Sequence, residues 1–263
     1  MGTGHQARKR FGQHFLRERG IIVRIVDAIA PAPGQRLVEI GPGLGALTCP
    51  LLQAVGELDA VELDRDLIPA LRQRCQGLGN LRLHQGDALK FDFAQLCQDQ
   101  RRLRVAGNLP YNISAPLLFH LLAQAAWIHD MHFMLQQEVV ARMAARPREA
   151  AYGRLSVMLQ YYCRVEPLFV IGPAAFSPPP KVQSAFVRLV PYRPLPVPAA
   201  NPERFAALVK QAFAQRRKTL RNALRDLAGA EDMAAAGVNP GVRPETLGVA
   251  EFVALSNRLE WLQ

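Results

Sequence analysis

The chain predicts an α/β fold: a mostly parallel sheet with helices on both faces, an antiparallel edge strand, and a small helical unit at the C-terminus. Three observations predict it. From residue 36 to about 190, short apolar runs alternate with stretches of helical periodicity, the pattern of repeated strand–helix–strand units. The first run leads into a glycine-rich loop, Gly41-Pro42-Gly43-Leu44-Gly45, that opens a helix. Beyond the alternating region, residues 191–202 hold five prolines (Pro191, Pro194, Pro196, Pro198 and Pro202), which neither a helix nor a central strand tolerates.

Taken in order, the basic N-terminal stretch gives way to an amphipathic helix over Glu18–Ala30, stopped by Pro31 and Pro33. Strands are expected at Arg36–Ile40, Leu58–Leu63, Leu81–Gln85, Leu103–Gly107 and Met131–Gln136. Two later runs, Glu166–Ile171 and Ser184–Val190, have no helical pattern between them and predict an antiparallel pair on the sheet edge. The proline-rich stretch is a linker, so the domain division expected is 1–195 and 196–263. After the linker, Glu203–Leu227 carries apolar residues at helical spacing, and short helices follow from Asp232.

Composition excludes several classes. At 263 residues the chain can bury one large core and a smaller appendage. A mean hydropathy near zero fits a globular protein, and no apolar run approaches the ~20 residues of a membrane span. Arg24 and Asp27 interrupt any signal-like apolar core, so the location expected is cytoplasmic. Cys49, Cys75, Cys97 and Cys163 lie far apart without paired spacing, which predicts reduced, packed thiols and no metal.

The charge points to a polyanion. Lys and Arg number 32 against 22 acids, a net charge of +10, and phosphate contacts reward such an excess through counterion release. The excess is concentrated. Residues 1–24 hold six cations (Arg8, Lys9, Arg10, Arg17, Arg19, Arg24) against Glu18 alone. Residues 204–225 hold seven (Arg204, Lys210, Arg216, Arg217, Lys218, Arg221, Arg225) and no acid.

Gly41, Gly43 and Gly45 permit a tight turn and close approach of a ligand to the backbone. The spacing G-x-G-x-G differs from the dinucleotide pattern G-x-G-x-x-G, and a ligand without pyrophosphate, such as S-adenosylmethionine, fits it better. Glu62 ends the second strand, where a carboxylate can accept from both hydroxyls of a ribose. Asp87, after the third strand, can accept from an adenine amino group or serve as a helix N-cap. All three features fall at strand C-termini, where open α/β sheets bind ligands.

After the fourth strand comes Gly107-Asn108-Leu109-Pro110-Tyr111-Asn112-Ile113-Ser114. A turn capped by Ser114 explains the proline and the serine but not Asn108 and Tyr111. Amino-group chemistry explains those. An adenine amino nitrogen is a poor nucleophile because its lone pair is delocalised into the ring. Two acceptors aimed at its hydrogens, the Asn108 side-chain oxygen and the Leu109 carbonyl, favour a pyramidal nitrogen. Pro110 holds them rigidly, and Tyr111 offers a face on which the base stacks.

With these residues in hand, the chain resembles the rRNA adenine N6,N6-dimethyltransferases, over nearly its whole length. The resemblance implies a Rossmann-like class I methyltransferase sheet that binds S-adenosylmethionine, with a small C-terminal α-helical RNA-binding domain. KRFGQHFL at 9–16 is similar to the family's N-terminal motif, which closes over the cofactor. That likeness implies cofactor contacts from His14 and Leu16, together with Gly41, Glu62, Asp87 and Asn108. FSPPPKVQSA at 176–185 resembles the loop facing the target base, implying Phe176 as a second stacking wall opposite Tyr111. AQRRKTLRNAL at 214–224 resembles the C-terminal helix of the KsgA branch, which dimethylates two adjacent adenosines near the 3′ end of small-subunit (16S) rRNA. RNA contacts are then expected from Arg8, Lys9, Arg10, Lys181, Arg216, Arg217, Lys218 and Arg221. A monomer acting within a pre-30S particle, with a part in ribosome biogenesis, is implied. His14 departs from the family pattern, where Asn is expected. The Erm-type large-subunit dimethylases share Asn-Leu-Pro-Tyr, but Pro178–Pro180 with Lys181 and the RRKTLRN run favour the small-subunit branch. A non-catalytic rRNA-binding assembly factor is the other alternative. His84, His120, His129 and His132 share no motif, and Trp127 and Trp261 read as core.

Overall fold

The computed structural model describes residues 14–97, 99, 101–215 and 217–259. The apolar runs become β2 (Arg36–Ile40), β3 (Glu57–Glu62), β4 (Asn80–Gln85), β5 (Leu103–Asn108) and β6 (Ile128–Gln136). Two later strands, β7 (Cys163–Ile171) and β9 (Ser184–Pro191), complete a seven-stranded sheet in the order β4-β3-β2-β5-β6-β9-β7. The five strands from β4 to β6 run parallel, and β9 runs antiparallel to β6 with Met134 opposite Phe186. The two late runs are neighbours at the edge, as the missing helical pattern between them predicted. A separate two-stranded ladder pairs β1 (Phe15–Leu16) with β8 (Phe176–Ser177).

The order of the strands decides where a ligand can bind. The chain starts at β2 in the middle, builds outward through β3 and β4, and then returns to β5 beside β2. The loops after β2 and β5 therefore diverge at adjacent strands, and this leaves a crevice at their C-terminal ends. Gly107 makes the approach of those strands possible. A Cβ there would sit 2.5 Å from the Ile40 carbonyl oxygen, so any side chain would push β5 away from β2.

Helix α1 (Arg19–Ile29) lies within one residue of the expected bounds and ends at Ala30, whose φ of 47° is left-handed. Its last carbonyls are satisfied from the sheet. Arg104 donates to the Ile29 carbonyl at 2.6 Å and to that of Ala30 at 3.1 Å. The same guanidinium forks onto Asp130 of β6 at 2.8 and 3.0 Å, and Arg188 of β9 reaches Asp130 at 3.2 Å. Asp130 is fully buried, so this cluster fixes α1 to three strands. Helices α2 (Thr48–Val55) and α3 (Ile68–Arg74) follow β2 and β3, and α4 (Ser114–Ala123) follows β5. Ser114 does not cap α4 as an acceptor; its hydroxyl donates to the Pro110 carbonyl at 3.0 Å.

The division of the chain differs from a single cut at 195. One unit takes the chain up to Val140 with Glu166–Pro191; the other takes Ala141–Val165 with the chain from Tyr192 onward. Two observations give the reason. Helix α6 (Arg154–Tyr162), which follows α5 (Gln137–Ala144), packs against α7 (Pro202–Ala212) and α10 (Val249–Arg258) of the second unit. There the Tyr161 ring lies 4.4 Å from that of Phe205. The proline-rich stretch is also tied to the second unit: Tyr192 N–H donates to the Tyr162 carbonyl, Ala199 N–H to the Tyr161 hydroxyl, and Ala200 N–H to Asn257.

Helix α7 starts where Asn201 accepts from the Glu203 and Arg204 amides. It stops at Ala212, short of the expected Leu227, and the run 214–224 is not one helix. After turns and bends it yields only α8 (Leu220–Ala223), followed by α9 (Ala230–Ala235). The cause is a competing partner. The Leu220 and Arg221 amides donate to the Val242 and Pro240 carbonyls instead of to the preceding turn. Trp127 also differs from expectation, being 45% exposed. The described cysteines are all free, with Cys75, Cys97 and Cys163 buried. Among the described residues, no helix is long and apolar enough to cross a membrane, and no cluster of metal-ligating side chains occurs.

Candidate active site

A cavity of about 630 Å³ opens at the C-terminal ends of β2, β3, β4 and β5, within the size range of small-ligand sites. Its floor is the glycine loop. Gly41 and Gly43 have φ of 68° and 56°, a left-handed conformation that side chains resist. A Cβ on Gly43 would press on the Phe15 ring at 3.2 Å. Gly45 has a different task. It does not line the cavity; a Cβ there would lie 2.8 Å from Leu71 of α3, so its bareness serves packing.

Glu62 ties β3 to that loop. One carboxylate oxygen accepts from the Gly43 amide at 3.1 Å, and the other accepts from the Asp64 amide at 2.8 Å. Each oxygen keeps a further lone pair for a ligand hydroxyl. Burial raises the Glu62 pKa, against the pull of the amide donors. Asp87 lines the cavity beyond β4, and one of its oxygens caps a turn by accepting from Leu89 N–H at 3.0 Å. Arg74 holds the glycine loop from α3, donating to the Leu44 carbonyl at 2.8 Å.

Glu39 was not singled out by sequence. It sits inside β2, where one more residue of an apolar run attracts no notice. It is 2% exposed, lines the cavity, and has one oxygen without a hydrogen-bond partner among the described residues. Burial pushes its pKa from the ordinary 4.5 up to about 7, and the Glu62 charge adds to this. A raised carboxyl means that the folded chain holds a proton which the unfolded chain has lost between those values. Stability therefore falls as pH rises from 4.5 toward 7 and stays reduced above. Glu39→Gln is expected to gain about 3 kcal/mol over the parent at about pH 8 and almost nothing at about pH 4. Denaturant unfolding of the ligand-free protein at both pH values checks this; a gain that does not grow with pH would contradict it.

The Asn108–Tyr111 segment forms the opposite wall. Asn108 lies opposite Met134 at the end of β5, and the Leu109 amide donates to the Met134 carbonyl at 3.1 Å. The Asn108 carboxamide nitrogen donates to the His14 carbonyl at 2.9 Å. That bond fixes the orientation of the carboxamide and leaves its oxygen as the end available to an amino group. Tyr111 is half-buried; its hydroxyl meets Ser184 Oγ at 2.7 Å, and burial raises its pKa, so the ring is held and neutral.

Of the residues expected at the site, His14, Leu16, Gly41, Gly43, Glu62, Asp87, Asn108, Leu109, Pro110 and Tyr111 line this cavity. Phe176 does not. It is 5% exposed and belongs to the apolar core with Leu16, Ile171 and Ala175. The β1–β8 ladder sets Phe176 opposite Leu16, which itself lines the cavity. Lys181, Arg217, Lys218 and Arg221 are exposed. Arg8, Lys9, Arg10, Arg216 and Trp261 lie outside the described residues.

A bare-backbone loop, a strand-end carboxylate and an Asn-Leu-Pro-Tyr wall are thus joined in one cavity. Residues 4–260 match the family model described as ribosomal RNA adenine dimethylase. The chain belongs to that family. Other members are close in sequence. The chain is 56% identical to a Nitrosococcus oceani protein named ribosomal RNA small subunit methyltransferase A, covering 99% of this chain and 98% of that one. It is 58% identical to the Pseudomonas aeruginosa protein of the same name, over 97% and 95% of the two chains. Among solved structures it is similar to a dimethyladenosine transferase from Plasmodium falciparum, with TM-score 0.77, 26% identity and 92% and 96% coverage. It is also similar to the 23S rRNA methyltransferase ErmE, with TM-score 0.71, 26% identity and 94% and 100% coverage. Family membership makes this an rRNA-modifying methyltransferase with a class I fold.

Proposed function

We propose that the chain uses S-adenosylmethionine to dimethylate the N6 amino groups of two adjacent adenosines near the 3′ end of small-subunit rRNA. The observation that carries the chemistry is the Asn108 carboxamide, pinned by its nitrogen to the His14 carbonyl with its oxygen left to the cavity wall. What favours the small subunit over the large is the identity of 56–58% to proteins named for it, against 26% to ErmE.

The cavity residues suit this cofactor. Glu62 offers acceptors for ribose hydroxyls, Asp87 an acceptor for the adenine amino group, and the bare glycines admit the ligand to the backbone. The Glu39 oxygen without a hydrogen-bond partner among the described residues offers a free lone pair to the ligand. When bound, S-adenosylmethionine supplies an electrophilic methyl group on a positive sulfur.

The protein's part is to aim the nitrogen. Asn108 Oδ1 and the Leu109 carbonyl accept the two amino hydrogens, which localises the lone pair on the nitrogen. Pro110 fixes their spacing, and Tyr111 holds the base by its face. After one transfer a single N–H remains, so one acceptor is vacated and the methylamino group must rotate to present its lone pair again. Leu16 and His14 cover the cavity from the N-terminal side.

RNA contacts are assigned to Lys181 in the first unit and to Arg217, Lys218 and Arg221 in the second, with Arg8, Lys9, Arg10 and Arg216 from outside the described residues. Neutralising Arg217, Lys218 and Arg221 together is expected to weaken binding uniformly and to flatten the salt dependence. Every phosphate that is no longer neutralised takes about 0.7–0.9 off the slope of log affinity against log salt. An unchanged slope would assign those cations to bare solvent.

The setting that fits is a cytoplasmic monomer acting on a pre-30S particle. Incubation of labelled cofactor with unmethylated small and large subunits tests the substrate. Label is expected in the 3′-terminal region of small-subunit RNA; label only in large-subunit RNA overturns the assignment and favours the Erm-type alternative. No label in either, with RNA binding retained, favours a non-catalytic assembly factor.

A further inference from the structure

Two thiols meet behind the glycine loop. Cys49 lies in the first turn of α2, Cys75 directly follows the last residue of α3, and their Sγ atoms are 3.5 Å apart. Neither residue lines the cavity. Cys75 is 3% exposed, whereas Cys49 is partly open to solvent. We propose that the pair is a site of reversible oxidation: a low-molecular-weight disulfide converts the two thiols into a Cys49–Cys75 crosslink, and the crosslink weakens cofactor binding. The consequence for binding rests on the reading of the cavity as an S-adenosylmethionine site.

The exchange balances without a further reactant. The Cys49 thiolate attacks one sulfur of the disulfide R–S–S–R, forming Cys49–S–S–R and expelling R–S⁻. The Cys75 thiolate then attacks Cys49 Sγ and expels the second R–S⁻. The two thiol protons end on the two R–S⁻ groups; the protein pair loses two electrons and the reagent gains them. Exposure decides the order. Cys49 is the sulfur that a solute can reach. Burial pushes the Cys75 thiol up to about 12, which leaves it little thiolate for a first encounter. Held beside its target, the same thiol needs no encounter.

The glycine loop is tied to both thiols. The Cys49 amide donates to the Gly45 carbonyl at 3.3 Å. Arg74, next to Cys75, donates through its guanidinium to the Leu44 carbonyl at 2.8 Å, and its own carbonyl lies 4.0 Å from Cys49 Sγ. A disulfide is about 2.05 Å long, so the sulfurs must close by about 1.5 Å. Helix α2 is the fixed side, since Thr48, Leu51 and Leu52 are fully buried. The end of α3 is the freer side. The chain leaves it through the turn Gln76-Gly77-Leu78-Gly79, and a Cβ on Gly77 would meet nothing within 4 Å. The movement therefore falls on the end of α3 and carries Arg74 with it. Drawing Cys75 toward Cys49 displaces Arg74 from Leu44 and loosens the loop that the ligand needs preset.

The test treats the reduced protein with oxidised glutathione, blocks the remaining thiols with iodoacetamide in denaturant, and maps the peptides by mass. Calorimetry with S-adenosylmethionine reads cofactor affinity before oxidation, after it, and after reduction with dithiothreitol. A peptide joined through Cys49 and Cys75 is expected, while Cys97 and Cys163, both buried, are recovered blocked. Affinity should fall about two- to tenfold, the worth of roughly one hydrogen bond, and return fully on reduction. Cys49→Ser should bind the cofactor as the parent does and ignore the oxidant. Cys75→Ala should stop at the mixed disulfide on Cys49 and keep its affinity within about twofold. No joined peptide from the parent overturns the proposal, as does a joined peptide with unchanged affinity. An equal loss in oxidised Cys75→Ala also overturns it, since bulk on Cys49 and not the crosslink would then be the cause. A reduced parent that binds no cofactor is a separate failure. It removes the S-adenosylmethionine reading and the consequence built on it, while the mass map still decides whether the crosslink forms.

Discussion

Asn108→Ala is expected to cut methyl transfer by roughly 10²–10³-fold in kcat, leaving RNA affinity within about twofold. The size follows from what the side chain does on each side. Its oxygen is one of two acceptors aimed at the amino hydrogens, and an interaction that strengthens as the nitrogen pyramidalises lowers the barrier without tightening substrate binding. Its nitrogen anchors the His14 carbonyl, so truncation also releases the N-terminal wall and leaves a carbonyl to be solvated. Asn108→Asp separates the two contributions. It keeps an oxygen toward the base but sets a charge against the His14 carbonyl, and its rate should fall between those of the parent and Asn108→Ala. Single-turnover transfer with saturating cofactor reads the chemical step directly. A normal rate in Asn108→Ala would falsify the amino-polarising role.

The sequence made the sheet legible because its strands are apolar runs of strand length bounded by turn residues. All seven strands expected in the central sheet are found there, with ends shifted by three residues or fewer. The cavity was legible for a related reason. Glycines with positive φ, a carboxylate at a strand end and an Asn-Leu-Pro-Tyr turn are local features, and strand order brings them together. What stayed hidden depends on contacts distant in sequence. Phe176 is set opposite Leu16 because β8 pairs with β1, which lies near the other end of the first unit's chain. Helix α6 looks like one more crossover helix, and only its packing on α7 and α10 assigns it to the second unit. Residues 214–219 have a helical pattern, but the carbonyls of Pro240 and Val242 draw the Leu220 and Arg221 amides away. Glu39 was hidden in another way: a carboxyl within an apolar strand looks like an interruption until the cavity beside it is seen.

The largest loss of stability is expected from Asp130→Ala, about 3–5 kcal/mol. Asp130 is fully buried and accepts the Arg104 fork and a contact from Arg188. Truncating it strands the Arg104 guanidinium in a low-dielectric interior, which costs far more than the pair was worth. Arg104 cannot simply swing to water, because it also satisfies the last carbonyls of α1 and the Gln35 side chain. Denaturant unfolding of Asp130→Ala and of the double variant Asp130→Leu with Arg104→Met tests the cause. The double variant should be the more stable of the two, since it leaves no charge unpaired; equal or greater loss would mean that capping of α1 is the dominant contribution. The acid limb of the stability profile gives a second check. Burial alone would raise the Asp130 pKa, but the Arg104 hydrogen bonds bring it below the ordinary carboxylate value. Its stabilisation is therefore present above the unfolded value and lost as pH falls through the folded one. His132, buried with neither ring nitrogen bonded among the described residues, has its pKa lowered by burial to about 4. The unfolded chain takes up that proton first, so stability drops further as pH falls from 6.5 toward 4. In Asp130→Ala the first contribution vanishes while the second grows, since the Asp130 charge is what holds the His132 pKa up against burial; the loss of stability as pH falls from 6.5 toward 4 should therefore persist.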